Sequence, residues 1–325
     1  MKLLLIVAAI ASGFIVLEVS LRLFGLGNPP LYIPDAEIGY LLAPNQRVRR
    51  FGNRIEINQY AMRTGAIALQ RPAETLRIFL LGDSVANGAW WTDQEETISA
   101  LIEQQLQTTA TVPQVDPAQS DRQRLFWRNV EVLNASANSW GPRNELAYLQ
   151  RYGTFEAQLI VLLINTDDLF ATAPTSLPVG QDRNYPDRKT LALAEVARRW
   201  QRPSPIPGLD EVRKEGGDRV GFNLAAITQI KAIAKEHKAQ FLLAMTPLLR
   251  ECEATGPRDY ELKARERLTQ FASEHQISYI DFLPLFKPDC HQLYRDHIHL
   301  SPQGNQLVSR TLSQRVTSDQ LPVGR

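Results

Sequence analysis

Three side chains that together can break an ester bond stand far apart in this chain. One is the serine of Leu-Leu-Gly-Asp-Ser-Val (80–85). The others are the first aspartate and the last histidine of Asp-His-Ile-His (296–299). A serine hydroxyl is a weak nucleophile until a base removes its proton, and an imidazole does this best when a carboxylate orients it. Of the five histidines, His237 and His275 fall at the charged ends of helical stretches and read as solvated surface groups. His291, His297 and His299 cluster near the C-terminus. Asp296 and His299 are three residues apart, so one turn of chain can bring carboxylate and imidazole together, whereas His297 points elsewhere. The plain alternatives are a helix N-cap for Ser84 and a surface turn for Asp296 and His299. Asp83 reads as a group that hydrogen-bonds the turn backbone.

The elements around these residues decide whether they can meet. Leu-Arg-Ile-Phe-Leu-Leu (76–81) is an apolar run that stops at Gly82 and reads as a strand. Further strands are expected at 129–134, at 158–164, in Gln-Phe-Leu-Leu-Ala-Met (240–245) and in Ile-Ser-Tyr-Ile-Asp (277–281). In the run at 158–164 every residue after Gln158 is apolar, as in a strand covered on both faces. Helices are expected between them. One has Ile98, Leu101, Ile102 and Leu106 on one face, one closes at Gly153, one carries Leu224, Ile227, Ile230 and Ala234, and one spans 260–274. A last helix starts at Ser301-Pro302, a good N-cap followed by a good first residue. Five strand–helix alternations imply an α/β fold of three layers, a mainly parallel sheet of about five strands with helices on both faces. Ligands of such folds bind outside the carboxyl ends of the strands. Ser84 and the 296–299 loop both fall at that edge.

With these residues in place, Gly-Asp-Ser-Val-Ala-Asn-Gly after a strand and Asp-His-Ile-His-Leu-Ser-Pro-Gln-Gly-Asn near the end resemble the first and last sequence blocks of the SGNH (GDSL-type) hydrolases. The resemblance covers about residues 76–316 and implies the flavodoxin-like fold of that superfamily. It also implies Ser84 as nucleophile, His299 as general base and Asp296 as its orienting acid. The N-terminal segment, with Ile-Gly-Tyr-Leu-Leu-Ala-Pro-Asn-Gln (38–46), is similar to the membrane-tethered, extracytoplasmic branch. The middle blocks depart from the pattern. Ser136 stands where the family's second block has a glycine whose N–H binds the oxyanion, and Ser136 keeps that N–H. In the third block, Asn165-Thr166-Asp167-Asp168, Asp167 occupies the position of the family's oxyanion-binding asparagine. An ionised aspartate cannot donate, and losing one such donor costs about 3–4 kcal/mol. The oxyanion hole is therefore expected from the Ser84 and Ser136 N–H groups, with Asn165 reaching in from two residues earlier. Asn138, Asp167 and Trp90 are candidate substrate contacts, with Trp91 and Arg143 beside them; packing is the plain reading of the tryptophans.

Composition narrows the setting. With 36 Lys and Arg against 35 Asp and Glu, the chain lacks the basic excess that nucleic-acid binding demands. No zinc-ligand spacing is present, and no metal or cofactor is called for. Residues 1–27 begin with Lys2 and an apolar run long enough for a bilayer span of about 20 residues. Glu18 and Arg22 lie one helical turn apart inside it. The segment reads as a membrane anchor, with cleavage near Ala9-Ile10-Ala11 and a soluble amphipathic helix as the alternatives; the first two put the body outside the cytoplasm. Two cysteines, Cys252 and Cys290, allow one disulfide in such a compartment or stand as two buried thiols. Residues 28–75 read as an irregular linker with one or two short strands, 171–222 as an insertion within a 76–318 domain, and 319–325 as a tail. The basic stretch 47–54 reads as a solvated face, with anionic lipid or polysaccharide as the alternative. The function expected is a serine esterase acting on O-acylated envelope polysaccharide or another ester. The alternatives are an O-acyltransferase to a glycan, or a non-catalytic glycan- or partner-binding protein on the same fold.

Overall fold

The computed structural model describes residues 1–111 and 127–318; the tail expected at 319–325 lies outside the described residues. The elements, in chain order, begin with α1 (Lys2–Leu23), β1 (Tyr32–Asp35), β2 (Gly39–Leu42), β3 (Gln46–Arg50), β4 (Asn53–Ile57), β5 (Thr75–Gly82) and α2 (Ser84–Asn87). Next come α3 (Ile98–Thr111), β6 (Asn129–Ser136), α4 (Pro142–Tyr152), β7 (Leu159–Asn165), α5 (Ala192–Trp200), α6 (Leu209–Arg213) and α7 (Arg219–Glu236). The chain continues through β8 (Gln240–Thr246), α8 (Leu249–Cys252), α9 (Asp259–Glu274), β9 (Ser278–Asp281), α10 (Leu283–Phe286), α11 (Cys290–Leu293) and α12 (Pro302–Thr317).

Five strands pair in parallel in the order β6-β5-β7-β8-β9. This is the doubly wound flavodoxin-like order, which reverses direction between β5 and β7, and that switch point is where such sheets open a crevice. The unbroken apolar runs follow from burial on both faces. Leu76, Ile78 and Leu80 pack in one core with α3 and α12. Phe79 and Leu81 pack in the other with α4, α7 and α9. Alternate residues of one strand thus feed opposite cores.

Residues 28–75, expected as an irregular linker with one or two short strands, hold four short strands. They form two antiparallel hairpins, β1–β2 and β3–β4, whose Tyr40, Leu41, Ile55, Ile57 and Met62 are buried in the same core as Phe79. Strands of four or five residues, one holding Pro34 and another Gln46 and Arg47, give too little alternation to read as strands.

Cys252 and Cys290 are disulfide-bonded with Cα atoms 6.0 Å apart, which decides between the two readings of the cysteines. Among the described residues, α1 is the one helix long and apolar enough to cross a membrane, with mean hydropathy 2.4 over its best window.

Candidate active site

The nucleophile candidate sits on a turn that the local sequence enforces. At Gly82 a Cβ would come 2.6 Å from the Leu163 carbonyl oxygen and 2.7 Å from the Ala86 Cβ, so only glycine lets β5 run into α2 against β7. Asp83 caps α2 by accepting the Val85 N–H at 2.8 Å. Ser84 is then the first helical residue, whose N–H has no intrahelical acceptor. Gly88, in the left-handed region at φ 74°, ends the short helix.

The base arrives from the other end of the chain. The carboxylate of Asp296 accepts the His299 N–H at 2.8 Å and the Ile298 N–H at 3.0 Å, folding 296–299 into a tight turn. The turn is closed further by an isolated bridge between Tyr294 and Leu300. Within it, His299 Nδ1 lies 2.8 Å from Asp296 Oδ2, and His299 Nε2 lies 2.9 Å from Ser84 Oγ. Burial raises the Asp296 pKa, but the two N–H groups and the imidazole outweigh it and hold the carboxyl below its ordinary value. His297 is exposed.

The two strands that flank β5 end in Ser136 and Asn165. Ser136 ends β6 in register with Gly82. Its hydroxyl is turned away, donating to Asn134 Oδ1 at 2.5 Å and accepting from Asn87 Nδ2 at 3.3 Å. Asn165 ends β7 and is fully buried. Its amide donates to Asp83 Oδ2 at 2.8 Å, and its oxygen accepts the Asp167 N–H at 2.7 Å. Asp83 Oδ2 is also 3.3 Å from Ser84 Oγ. Asp167 is exposed, whereas Asp168 turns inward and accepts the Asn165 N–H at 2.7 Å. Burial first, and the field of Asp83 next, push the Asp168 carboxyl well above its ordinary value. Burial likewise raises Asp83.

Of the remaining candidates, Asn138 is half-buried, with its backbone oxygen accepting the Tyr40 hydroxyl at 2.6 Å and its side-chain oxygen unpartnered. Arg143 is committed to the insertion, donating to both oxygens of Glu215. Trp90 packs on Phe51, and it is Trp91 that meets His299, edge-on with centroids 4.6 Å apart. Among the described residues no group of three or more His, Cys, Asp or Glu side chains is disposed to hold a metal ion.

Sequence reasoning missed Arg63. It is fully buried and donates to the backbone oxygens of Asn87 at 2.6 Å, Thr92 at 2.5 Å and Ala89, so one guanidinium clamps the loop that follows the nucleophile and carries both tryptophans. Its local sequence, Tyr-Ala-Met-Arg-Thr-Gly, has no signal of this; only the folded loop supplies the partners.

Comparison with known proteins adds the following. A family model described as the GDSL-like lipase/acylhydrolase family matches residues 80–307. No curated protein matches. Among solved structures, an acetylxylan esterase from Geobacillus stearothermophilus aligns at TM-score 0.47 and 12% identity, covering 79% of this chain and 100% of that one. A lipolytic protein of the G-D-S-L family from Desulfitobacterium hafniense aligns at TM-score 0.43 and 14% identity, over 74% of this chain and 98% of the other.

Proposed function

The chain belongs to the GDSL-like lipase/acylhydrolase family, and from that premise we propose that it is a serine ester hydrolase working through Ser84, His299 and Asp296. The observation that supports this reading is the unbroken line Ser84 Oγ–His299 Nε2 at 2.9 Å and His299 Nδ1–Asp296 Oδ2 at 2.8 Å. Ser84 Oγ attacks the ester carbonyl while His299 Nε2 takes the hydroxyl proton. Asp296, kept ionised by its two backbone donors, holds Nδ1–H and stabilises the imidazolium. The tetrahedral oxyanion is received by the N–H of Ser84 and of Ser136, with the second amide hydrogen of Asn165 as the third donor. Collapse expels the alcohol, which His299 protonates. Water, deprotonated by His299, then attacks the acyl-serine, releases the carboxylic acid and restores Ser84. A sugar hydroxyl in place of that water makes the same steps an acyl transfer.

The setting proposed is extracytoplasmic, with α1 as the tether. The Cys252–Cys290 disulfide supports an oxidising compartment. O-acylated envelope glycan is the substrate class proposed. The test is to treat the full chain, in detergent, with a fluorophosphonate and with acetylated glycans. Ser84 is expected to carry the label, and acetate release is expected to vanish in Ser84→Ala. Acetate release by the variant at the parent's rate would overturn the catalytic reading.

A further inference from the structure

Helix α5, in the insertion, is bolted to the outer end of α1. The buried Glu18 of α1 accepts the N–H groups of Ala192 at 2.9 Å and Leu193 at 3.0 Å, while also pairing with Arg22 at 2.7 Å. Arg22 donates to the Thr190 oxygen at 3.1 Å. On the far side of α5, Glu195 accepts the Gly27 N–H at 2.6 Å and pairs with Arg50 at 2.6 Å.

This attachment sets the depth of α5. At about 1.5 Å per residue, Lys2 to Glu18 spans about 24 Å, short of the ~30 Å hydrocarbon core. An upright span that starts at Lys2 therefore holds Glu18, and the first turn of α5 with it, at the bilayer boundary rather than above it. A carboxylate at that depth needs the partners it has, an arginine and two backbone donors.

The sequence of α5 suits that position. Leu193, Val196, Ala197 and Trp200 follow the spacing of one helical face, opposite the Glu195 that holds the body. Ala197 and Trp200 are exposed, Trp200 by 87%. Exposed Arg188 and Lys189 precede the helix, Arg202 follows it and Arg198 lies on its polar side, with Asp187 an exposed acid next to Arg188. An apolar stripe ending in tryptophan and edged by cations is the pattern of a helix that lies in the headgroup layer. The apolar surface also continues onto the neighbouring Leu23, 83% exposed, and Phe24, 59% exposed.

We propose that α5 is a second membrane contact, lying in the plane of an anionic bilayer with Leu193, Val196, Ala197 and Trp200 in the acyl boundary. The proposal rests on α1 being retained as the span. It bears on the active site through a line of aromatic contacts. The Phe24 oxygen accepts the Phe51 N–H, Phe51 meets Trp90 at a tilt, Trp90 meets Trp91 edge to face, and Trp91 meets His299 edge-on. The catalytic imidazole is thus four contacts from the membrane exit of the chain.

The test uses the full chain in vesicles of phosphatidylcholine and phosphatidylglycerol that contain lipid brominated near the top of the acyl chain. Tryptophan emission is compared between the parent and Trp200→Phe, a change at an exposed site that leaves the core intact. The expected result is a quenchable component in the parent that is absent in the variant. Equal quenching in both would overturn the proposal. So would a Trp200 component shielded from aqueous acrylamide but untouched by the brominated lipid, which would mean a protein occupant. Extraction with alkaline carbonate reads α1 separately. A chain released by carbonate removes the span and the proposal together, whereas a retained chain with Trp200 unquenched removes the proposal alone.

Discussion

The side-chain amide of Asn165 donates to the carboxylate of Asp83 across 2.8 Å, tying the end of β7 to the turn that presents Ser84. The two strands flank the switch point of the sheet, so this bond sets the width of the crevice where an ester carbonyl would sit. It also uses one of the two amide hydrogens that could meet an oxyanion. The exposed Asp167, by contrast, keeps its carboxylate outside this bond, although the sequence resemblance alone sets it where the family has asparagine. Asn165→Ala is therefore expected to lower kcat by about 10²–10³-fold, and Asp167→Asn to change it little. Steady-state hydrolysis of an activated acetate ester measures both. A large gain from Asp167→Asn would mean that Asp167, not Asn165, faces the oxyanion.

The catalytic line itself makes a graded prediction. Ser84→Ala and His299→Ala are each expected to lower kcat by about 10⁴-fold or more, and combining them should add little because the groups act as a unit. Asp296→Asn is expected to cost about 10³–10⁴-fold by favouring the wrong imidazole tautomer. Because Asp296 is held below its ordinary pKa of 3.8, it stays ionised as pH falls through that value. Its protonation should therefore not limit activity in mildly acidic buffer. Single-turnover rates across pH in parent and Asp296→Asn check this: an acid limb present in the parent and absent in the variant would mean that Asp296 protonation does limit activity, whereas a limb common to both cannot come from Asp296.

How much of this was legible follows from which residues speak locally. Leu159–Ile164 reads as a doubly covered strand because each residue is apolar, and Gly82 reads as a stop because the apolar run of 76–81 ends at a glycine; the fold adds that nothing larger clears Leu163. Ser84 and the Asp296–His299 pair could be picked out because chemistry restricts the residue types and the sheet restricts where they lie. Residues 32–57 show only one or two short strands in the sequence because their partners lie far along the chain: their apolar side chains share a core with Trp140 and Tyr148, and Trp140 donates to the Tyr40 oxygen. Trp91 rather than Trp90 meets His299 because the loop's path, set by the Arg63 clamp, decides which ring turns inward. That clamp depends on three carbonyls gathered by the fold.

Arg63 accordingly makes a prediction about the loop. Arg63→Ala strands the oxygens of Asn87, Ala89 and Thr92 in a buried site, and unpaired buried groups cost about 1–3 kcal/mol each. A destabilisation of roughly 3 kcal/mol is expected in urea unfolding. Arg63→Lys keeps the charge but cannot span three carbonyls, so it should fold while kcat falls as Trp91 and His299 lose their register. Parent-like kcat in a folded Arg63→Lys would show that the loop holds its shape without the clamp.

The disulfide joins α8 to α11 across a sequence separation of 38, enclosing α9 and β9. Closing a loop of that length removes chain entropy worth about 4 kcal/mol from the unfolded state. Cys252→Ser with Cys290→Ser is expected to lower stability by up to that amount while leaving kcat near the parent's, since neither cysteine touches the triad. Denaturant midpoints with and without reductant check it: the parent should lose stability on reduction and the double variant should not respond.

Glu145 lies in α4 with no exposed surface, and both of its carboxyl oxygens lack a hydrogen-bond partner. Burial first, and the field of Asp83 second, push its pKa well above the ordinary 4.5. The folded chain then holds a proton that the unfolded chain releases above that ordinary value. Stability from this group is full below about pH 4.5 and declines as pH rises toward the folded-state value. Asp83 and Asp168, also raised, slope the same way. Glu145→Gln removes one titrating group without changing the shape of the side chain. The variant should therefore gain on the parent as pH rises from about 5 to about 8, because only the parent loses the stability tied to that retained proton. Denaturant unfolding of both proteins at the two pH values measures the difference directly. A gap that does not widen with pH would mean that Glu145 is already ionised in the folded chain, with partners that the static arrangement of α4 does not contain.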